Sequence, residues 1–183
     1  MIQIKDLTVR FGEKTVFENA SFSMPDKGII LLSGVSGIGK TTLLRVLAKT
    51  LKPQSGVVTG LELRKISFVF QEPRLLEWRT AAENIALVSN TENALRLLSL
   101  VELEEEANSL ARNLSGGQKQ RVSIARAFAF SKDVVLLDEP FSGLDEQNRR
   151  RCADLIRTAN CAIVVSHDPS DEALLRPEKK ILL

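Results

Sequence analysis

The chain has 183 residues, 44% of them hydrophobic and 26% charged, which suits one folded domain with a real core and excludes a disordered chain. Twenty-five Lys and Arg against 23 Asp and Glu leave a formal charge of +2, so the whole-molecule charge makes no case for a nucleic-acid partner. A single His excludes a His-rich metal centre, and two cysteines without C-x-x-C spacing, Cys152 and Cys161, suggest small apolar core residues in a reducing compartment.

In chain order, Ile2, Ile4, Leu7 and Val9 fall among polar residues as a half-buried strand requires. Phe22 and Met24 mark a second strand after a turn at residues 12–14. Residues 28–33 form a continuous apolar run, the pattern of a parallel strand covered on both faces. A glycine-rich turn follows, and residues 41–49 carry a helical pattern. Pro53 to Gly56 make a turn, and Val57-Val58 and residues 66–70 read as short strands. Residues 80–113 turn helical, with Glu104 to Glu106 on a solvated face or turn. Residues 115–129 form another helix. Residues 134–137 and 162–165 are buried-type strands, with a helix over 147–159 between them. Alternating strands and helices predict an α/β domain with a mainly parallel core sheet, a small antiparallel β-lobe and an inserted helical subdomain. The expected division of this single domain, 1–183, is a core of 1–79 and 114–183 with the helical subdomain at about 80–113. No apolar run approaches 18 residues and the N-terminus has no secretory core, so a cytosolic chain is expected.

Gly34-Val35-Ser36-Gly37-Ile38-Gly39-Lys40-Thr41 fits G-x-x-x-x-G-K-[ST] between a buried strand and a helix, with Thr42 continuing into that helix. Glycines let the backbone wrap so that successive N–H groups point at phosphate oxygens, and the helix adds its positive end. Lys40 supplies a charge for β- and γ-phosphates and Thr41 a hydroxyl for Mg²⁺. The strand at 134–137 ends in Asp138 and Glu139. Chemistry in parallel sheets collects at strand carboxyl ends, so Asp138 can reach the metal and Glu139 can orient a water on the γ-phosphoryl group. Leu114-Ser115-Gly116-Gly117-Gln118 precedes a helix, with Ser115 a good N-cap and two glycines that allow close backbone approach.

Together these motifs resemble the ATP-binding-cassette ATPases, P-loop NTPases that bind ATP and Mg²⁺. The resemblance covers nearly the whole chain: Phe11, the loop at 34–41, Gln71, the signature at 114–118, the strand to Glu139 and His167 occur in the family's order. Ser142-Gly143-Leu144-Asp145 looks like its D-loop. The resemblance implies that two copies pair head to tail with each ATP between the phosphate loop of one and the signature of the other. Phe11 would stack on adenine, Gln71 would contact Mg²⁺ or the attacking water, and Glu139 would be the catalytic carboxylate. His167 would touch the γ-phosphate. Ser115, Gly116, Gly117 and Gln118 would act in trans, and Asp145 would link the sites.

The stretch from Gln71 to Thr80, then Glu83-Asn84-Ile85, is similar to bacterial importer cassettes for nitrate, sulfonates and taurine, although Glu77 stands where that subgroup commonly has Pro. This implies docking of multispan permease subunits at the inner face of the cell membrane. It also implies, through the permease, a periplasmic or surface solute-binding protein, with no nucleic acid. Trp78 is expected to be buried beside Leu75 and Leu76, and Arg149 to Arg151 to be a solvated helix face. The short β-lobe and the 16 residues after His167 imply no C-terminal regulatory domain. An exporter cassette, or a cassette acting on DNA or the ribosome, is the alternative.

Overall fold

The computed structural model describes residues 1–183. Strands β1 (Ile2–Phe11) and β2 (Lys14–Met24) form an antiparallel hairpin, and β3 (Gly28–Ser33) leads through the glycine-rich loop into α1 (Lys40–Leu47). Strands β4 (Ser55–Thr59) and β5 (Ile66–Val69) precede helices α2 (Ala81–Ala86) and α3 (Thr91–Leu100). After a 3₁₀ turn at Ala111–Asn113 come α4 (Gly116–Phe130), β6 (Val134–Asp138), α5 (Glu146–Ile156), β7 (Cys161–Val165), α6 (Ser170–Leu175) and β8 (Lys179–Leu182).

Two sheets result. One is antiparallel in the order β2-β1-β4, and the other is parallel in the order β5-β6-β7-β3-β8. The apolar runs of β3, β6 and β7 split by alternation. Ile29, Leu31, Val135, Leu137, Ala162 and Val164 join one core with α4, α5 and the helices of the 80–113 segment. Ile30, Leu32, Val134, Leu136, Ile163 and Val165 join a second core with α1 and the antiparallel sheet. Period-two side-chain geometry thus puts the parallel sheet in the middle of three layers. Because its strands are parallel, their carboxyl ends share one edge.

Within residues 80–113 α-helix is confined to α2 and α3. Thr80 opens α2 with a capping box completed by Glu83, and the Asn90 side chain caps α3. Glu102, at φ +50, follows α3 in the left-handed region, and Glu104 to Glu106 lie in a turn. The short α6 was not evident in the sequence. Cys152 and Cys161 are free and fully buried, and burial pushes their thiols up to about 12 and about 11. They are core residues, not nucleophiles.

Candidate active site

The carboxyl ends of β3, β5, β6 and β7 surround a cleft of about 410 Å³. Phe11, Ser36, Gly37, Gly39, Lys40, Thr41, Thr42, Gln71, Asp138, Glu139 and His167, all singled out in the sequence, line it. Lys14, Val16 and Val165 complete the wall. Sequence reading missed Lys14; it stands opposite Phe11 in the hairpin register, and that pairing is the signal that finds it.

The loop geometry explains its residues. Gly39 has φ +117, and a Cβ there would lie 2.7 Å from Val16 Cγ1 and 2.8 Å from a Phe17 ring carbon. Only glycine lets the chain enter α1 so close to β2. No side chain caps α1, which leaves its first N–H groups for an anion. Lys40 is buried and folds back, its Nζ donating to Gly34 O at 2.7 Å and Val35 O at 3.0 Å. Gly34, Val35 and Ile38 shape the loop without lining the cleft, and Val35 is exposed.

Asp138 ends β6 at 3% exposure. Burial pushes its carboxyl up, opposed by the neighbouring Thr41 hydroxyl; the Glu139 charge also raises it and Lys40 lowers it. Its Oδ1 is buried with no partner. An orphaned carboxylate oxygen costs about 1–3 kcal/mol or more unless a donor or cation meets it. Asp138 beside the Thr41 hydroxyl is the oxygen set a hard divalent cation takes, and Mg²⁺ fits it. No cluster of three or more His, Cys, Asp or Glu side chains could hold a metal unaided, so further ligands must come from a bound molecule or water.

Glu139 follows at φ +48, in the left-handed region. Its N–H donates to Val165 O at 3.0 Å, which ties this turn to the end of β7. A non-glycine residue held there is strained by about 1–3 kcal/mol, a feature that clusters at reactive sites. His167 Nδ1 lies 2.9 Å from Glu139 Oε1. The hydrogen bond to Glu139, and then its charge, raise the basicity of His167. The His167 side chain is 76% exposed, so packing does not hold it.

Gln71 opens a loop held by polar bonds. Arg126 on α4 donates to Pro73 O and Arg74 O, both at 3.1 Å. The Arg74 guanidinium stacks 3.9 Å above the Phe70 ring. Asn84, fully buried on α2, accepts from Leu76 N–H at 2.8 Å and donates to Leu76 O and Arg79 O. Sequence reading assigned Asn84 and Arg126 no such role. Trp78 corrects the expectation of burial: it is 70% exposed. The Asn84 amide fills the inner side of this loop, and the indole turns outward.

Ser115, Gly116, Gly117, Gln118 and Asp145 do not line the cleft. Ser115 caps α4, accepting from Gln118 N–H while the Gln118 amide accepts from Ser115 N–H at 2.8 Å. A Cβ on Gly117 would meet Gly143 O at 3.0 Å, so the signature segment and the D-loop-like segment sit close together. Asp145 caps α5, and the Asn148 N–H bonded to it lowers its carboxyl.

A family model described as "ABC transporter" matches residues 17–142. The sulfate/thiosulfate import ATP-binding protein CysA of Vibrio vulnificus is 37% identical over 94% of this chain, which spans only 58% of that relative. The aliphatic sulfonates import ATP-binding protein SsuB of Granulibacter bethesdensis is 37% identical over 100% of this chain and 79% of the relative. Among solved structures, a dimeric post-hydrolysis state of the ATP-binding cassette MJ0796 bound to ADP and Pi superposes with TM-score 0.86 and 30% identity. The match covers 100% of this chain and 94% of that one.

Proposed function

The chain belongs to the family of ABC transporter ATPases, and on that premise we propose that it binds and hydrolyses Mg·ATP to drive solute import through a separate permease. The observation that carries this reading is the content of one cleft: an uncapped helix start with Lys40, an unpartnered buried Asp138 oxygen, and the Glu139–His167 pair.

The α1 N-terminus and the loop N–H groups receive the phosphates. Lys40 exchanges its carbonyl partners for β- and γ-phosphate oxygens, and Phe11 stacks on adenine. Thr41, Asp138 and Gln71 would hold Mg²⁺, which when bound would neutralise charge on the phosphate oxygens. Glu139 orients a water for in-line attack on the γ-phosphorus. The new bond forms from water oxygen to phosphorus, the bond to the ADP oxygen breaks, and the water proton passes to the Glu139 carboxylate. His167 holds that carboxylate and contacts the γ-phosphate.

Ser115, Gly116, Gly117 and Gln118 lie outside their own cleft, which supports their closing over the γ-phosphate bound by a second copy, with Asp145 connecting the two sites. The related dimeric cassette adds to that support. The permease docks at the helical lobe and the 71–80 loop, where Trp78 and Leu87 are exposed. No helix is long and apolar enough to cross a membrane. In this reading the permease holds the chain at the inner face of the cell membrane. The relatives named for sulfate and sulfonates point to sulfur oxyanions as the cargo, delivered by a periplasmic or surface binding protein.

The test is turnover of Mg·ATP by the purified chain together with nucleotide titration of Lys40→Ala. Hydrolysis should be measurable, and affinity should fall about 10- to 100-fold, the worth of lost charge-assisted bonds. No turnover, or unchanged affinity in the variant, overturns the reading.

A further inference from the structure

His167 is mostly exposed, yet it meets Glu139. What fixes it is the turn that carries it. The Asp168 N–H donates to the Ser166 hydroxyl at 3.1 Å, and that hydroxyl donates to the Asp171 carboxylate, which is only 3% exposed. The turn is therefore cross-braced on either side of His167. One outside group grips it. Arg149 on α5 donates through a single guanidinium nitrogen to Asp168 Oδ2 at 2.8 Å, to the Ser170 hydroxyl at 2.7 Å and to Asp171 Oδ1. Its guanidinium carbon also lies 5.9 Å from the centre of the Phe141 ring, two residues beyond Glu139.

Arg149 thus touches the segments that carry Glu139 and His167. A cleft of about 300 Å³ behind the pair has all three residues on its walls. The same helix begins at Asp145, and the Arg149 N–H bonds to Asp145 O at 2.9 Å. The sequence reads as a solvated basic run here, but the Arg149 side chain is only 22% exposed and is paired with Asp168 and Asp171.

We propose that Arg149 is a positioning residue for hydrolysis, setting the His167 turn against Glu139 and tying it to the helix that starts at Asp145. It does not line the cleft that receives the nucleotide, and it acts through His167. This inference rests on the ATPase reading above. Misplacing a reacting group by about 1 Å can cost on the order of 10²-fold in rate. Removing Arg149 should therefore lower kcat and leave the phosphate loop alone.

The experiment measures steady-state ATPase and Mg·ATP binding for wild type, Arg149→Gln, Arg149→Lys, Asp168→Asn and His167→Ala, and for Arg149→Gln combined with His167→Ala. Arg149→Gln should lower kcat at least about tenfold with KM and nucleotide affinity within about twofold. Arg149→Lys should recover part of the loss. On the His167→Ala background Arg149→Gln should cost little more, because the two act as a unit. Asp168→Asn keeps the buried Arg149–Asp171 pair, so it should fold and still lose rate. An unchanged kcat in Arg149→Gln and Asp168→Asn, or an equal further loss without His167, overturns the inference while wild-type turnover leaves the ATPase reading standing. A wild-type chain without turnover takes down both.

Discussion

Asn84→Ala removes the one fully buried side chain that holds the 71–80 loop to α2. Leu76 N–H then loses its only partner, at a cost of about 1–3 kcal/mol for a desolvated amide. The carbonyls of Leu76, Arg79 and Thr80 keep their bonds from Arg79 N–H, Ala111 N–H and Asn84 N–H, so losing the amide donors adds only about 1 kcal/mol. The total is about 3 kcal/mol. At about 2–4 °C per kcal/mol for a chain of this size, Tm should fall by about 6–12 °C. Asn84→Asp makes a sharper contrast. It keeps the acceptor for Leu76 N–H but points a carboxylate at three carbonyls at 0% exposure. It should be less stable than the alanine variant at neutral pH and recover as acid neutralises it. Urea and thermal unfolding followed by circular dichroism read both. Loss below about 1 kcal/mol in Asn84→Ala, or an aspartate variant as stable as wild type, refutes the claim that this amide holds the loop.

Two other outcomes follow from the site. Ser115→Arg places a bulky cation where we propose that the opposite γ-phosphate is received; light scattering should show no dimer with Mg·ATP while nucleotide still binds the monomer, and a surviving dimer contradicts the trans role. The Asp168 carboxyl is held down at about 2 by the Ser170 hydroxyl and N–H and then by Arg149. Its folded value lies below the unfolded value of about 3.9, so its stabilisation is complete above about pH 4 and is lost as pH falls towards 2. The stability gap between wild type and Asp168→Asn should shrink over that window, and a constant gap would refute the bonding.

The parts written in local sequence were legible. The apolar runs of β3, β6 and β7 sit in the central sheet because continuous burial and parallel pairing go together. The residues from Gly34 to Thr41, with Asp138 and Glu139, needed only a strand end and a glycine pattern to be placed. What sequence did not disclose depends on contacts between distant segments. Asn84 looks like an ordinary helix polar residue until the 71–80 loop folds over it. Trp78 reads as core because Leu75 and Leu76 precede it, yet a polar clamp holds that backbone and the indole is exposed. The three arginines of α5 look alike in sequence, but Arg149 grips the His167 turn, Arg150 pairs along its own helix with Glu146, and Arg151 reaches Glu102. The six-residue α6 starts at Pro169 with no side-chain cap and carries too little periodicity to announce itself.

In the proposed cycle Glu139 drives hydrolysis in a cleft closed by a second copy. The decisive experiment is Glu139→Gln with Mg·ATP, reading nucleotide retention, turnover and mass by size exclusion with light scattering. The variant should keep wild-type ATP affinity, lose turnover by at least about 100-fold, and form a stable ATP-bound dimer. Turnover at the wild-type rate, or a monomer that binds ATP and never pairs, would contradict it.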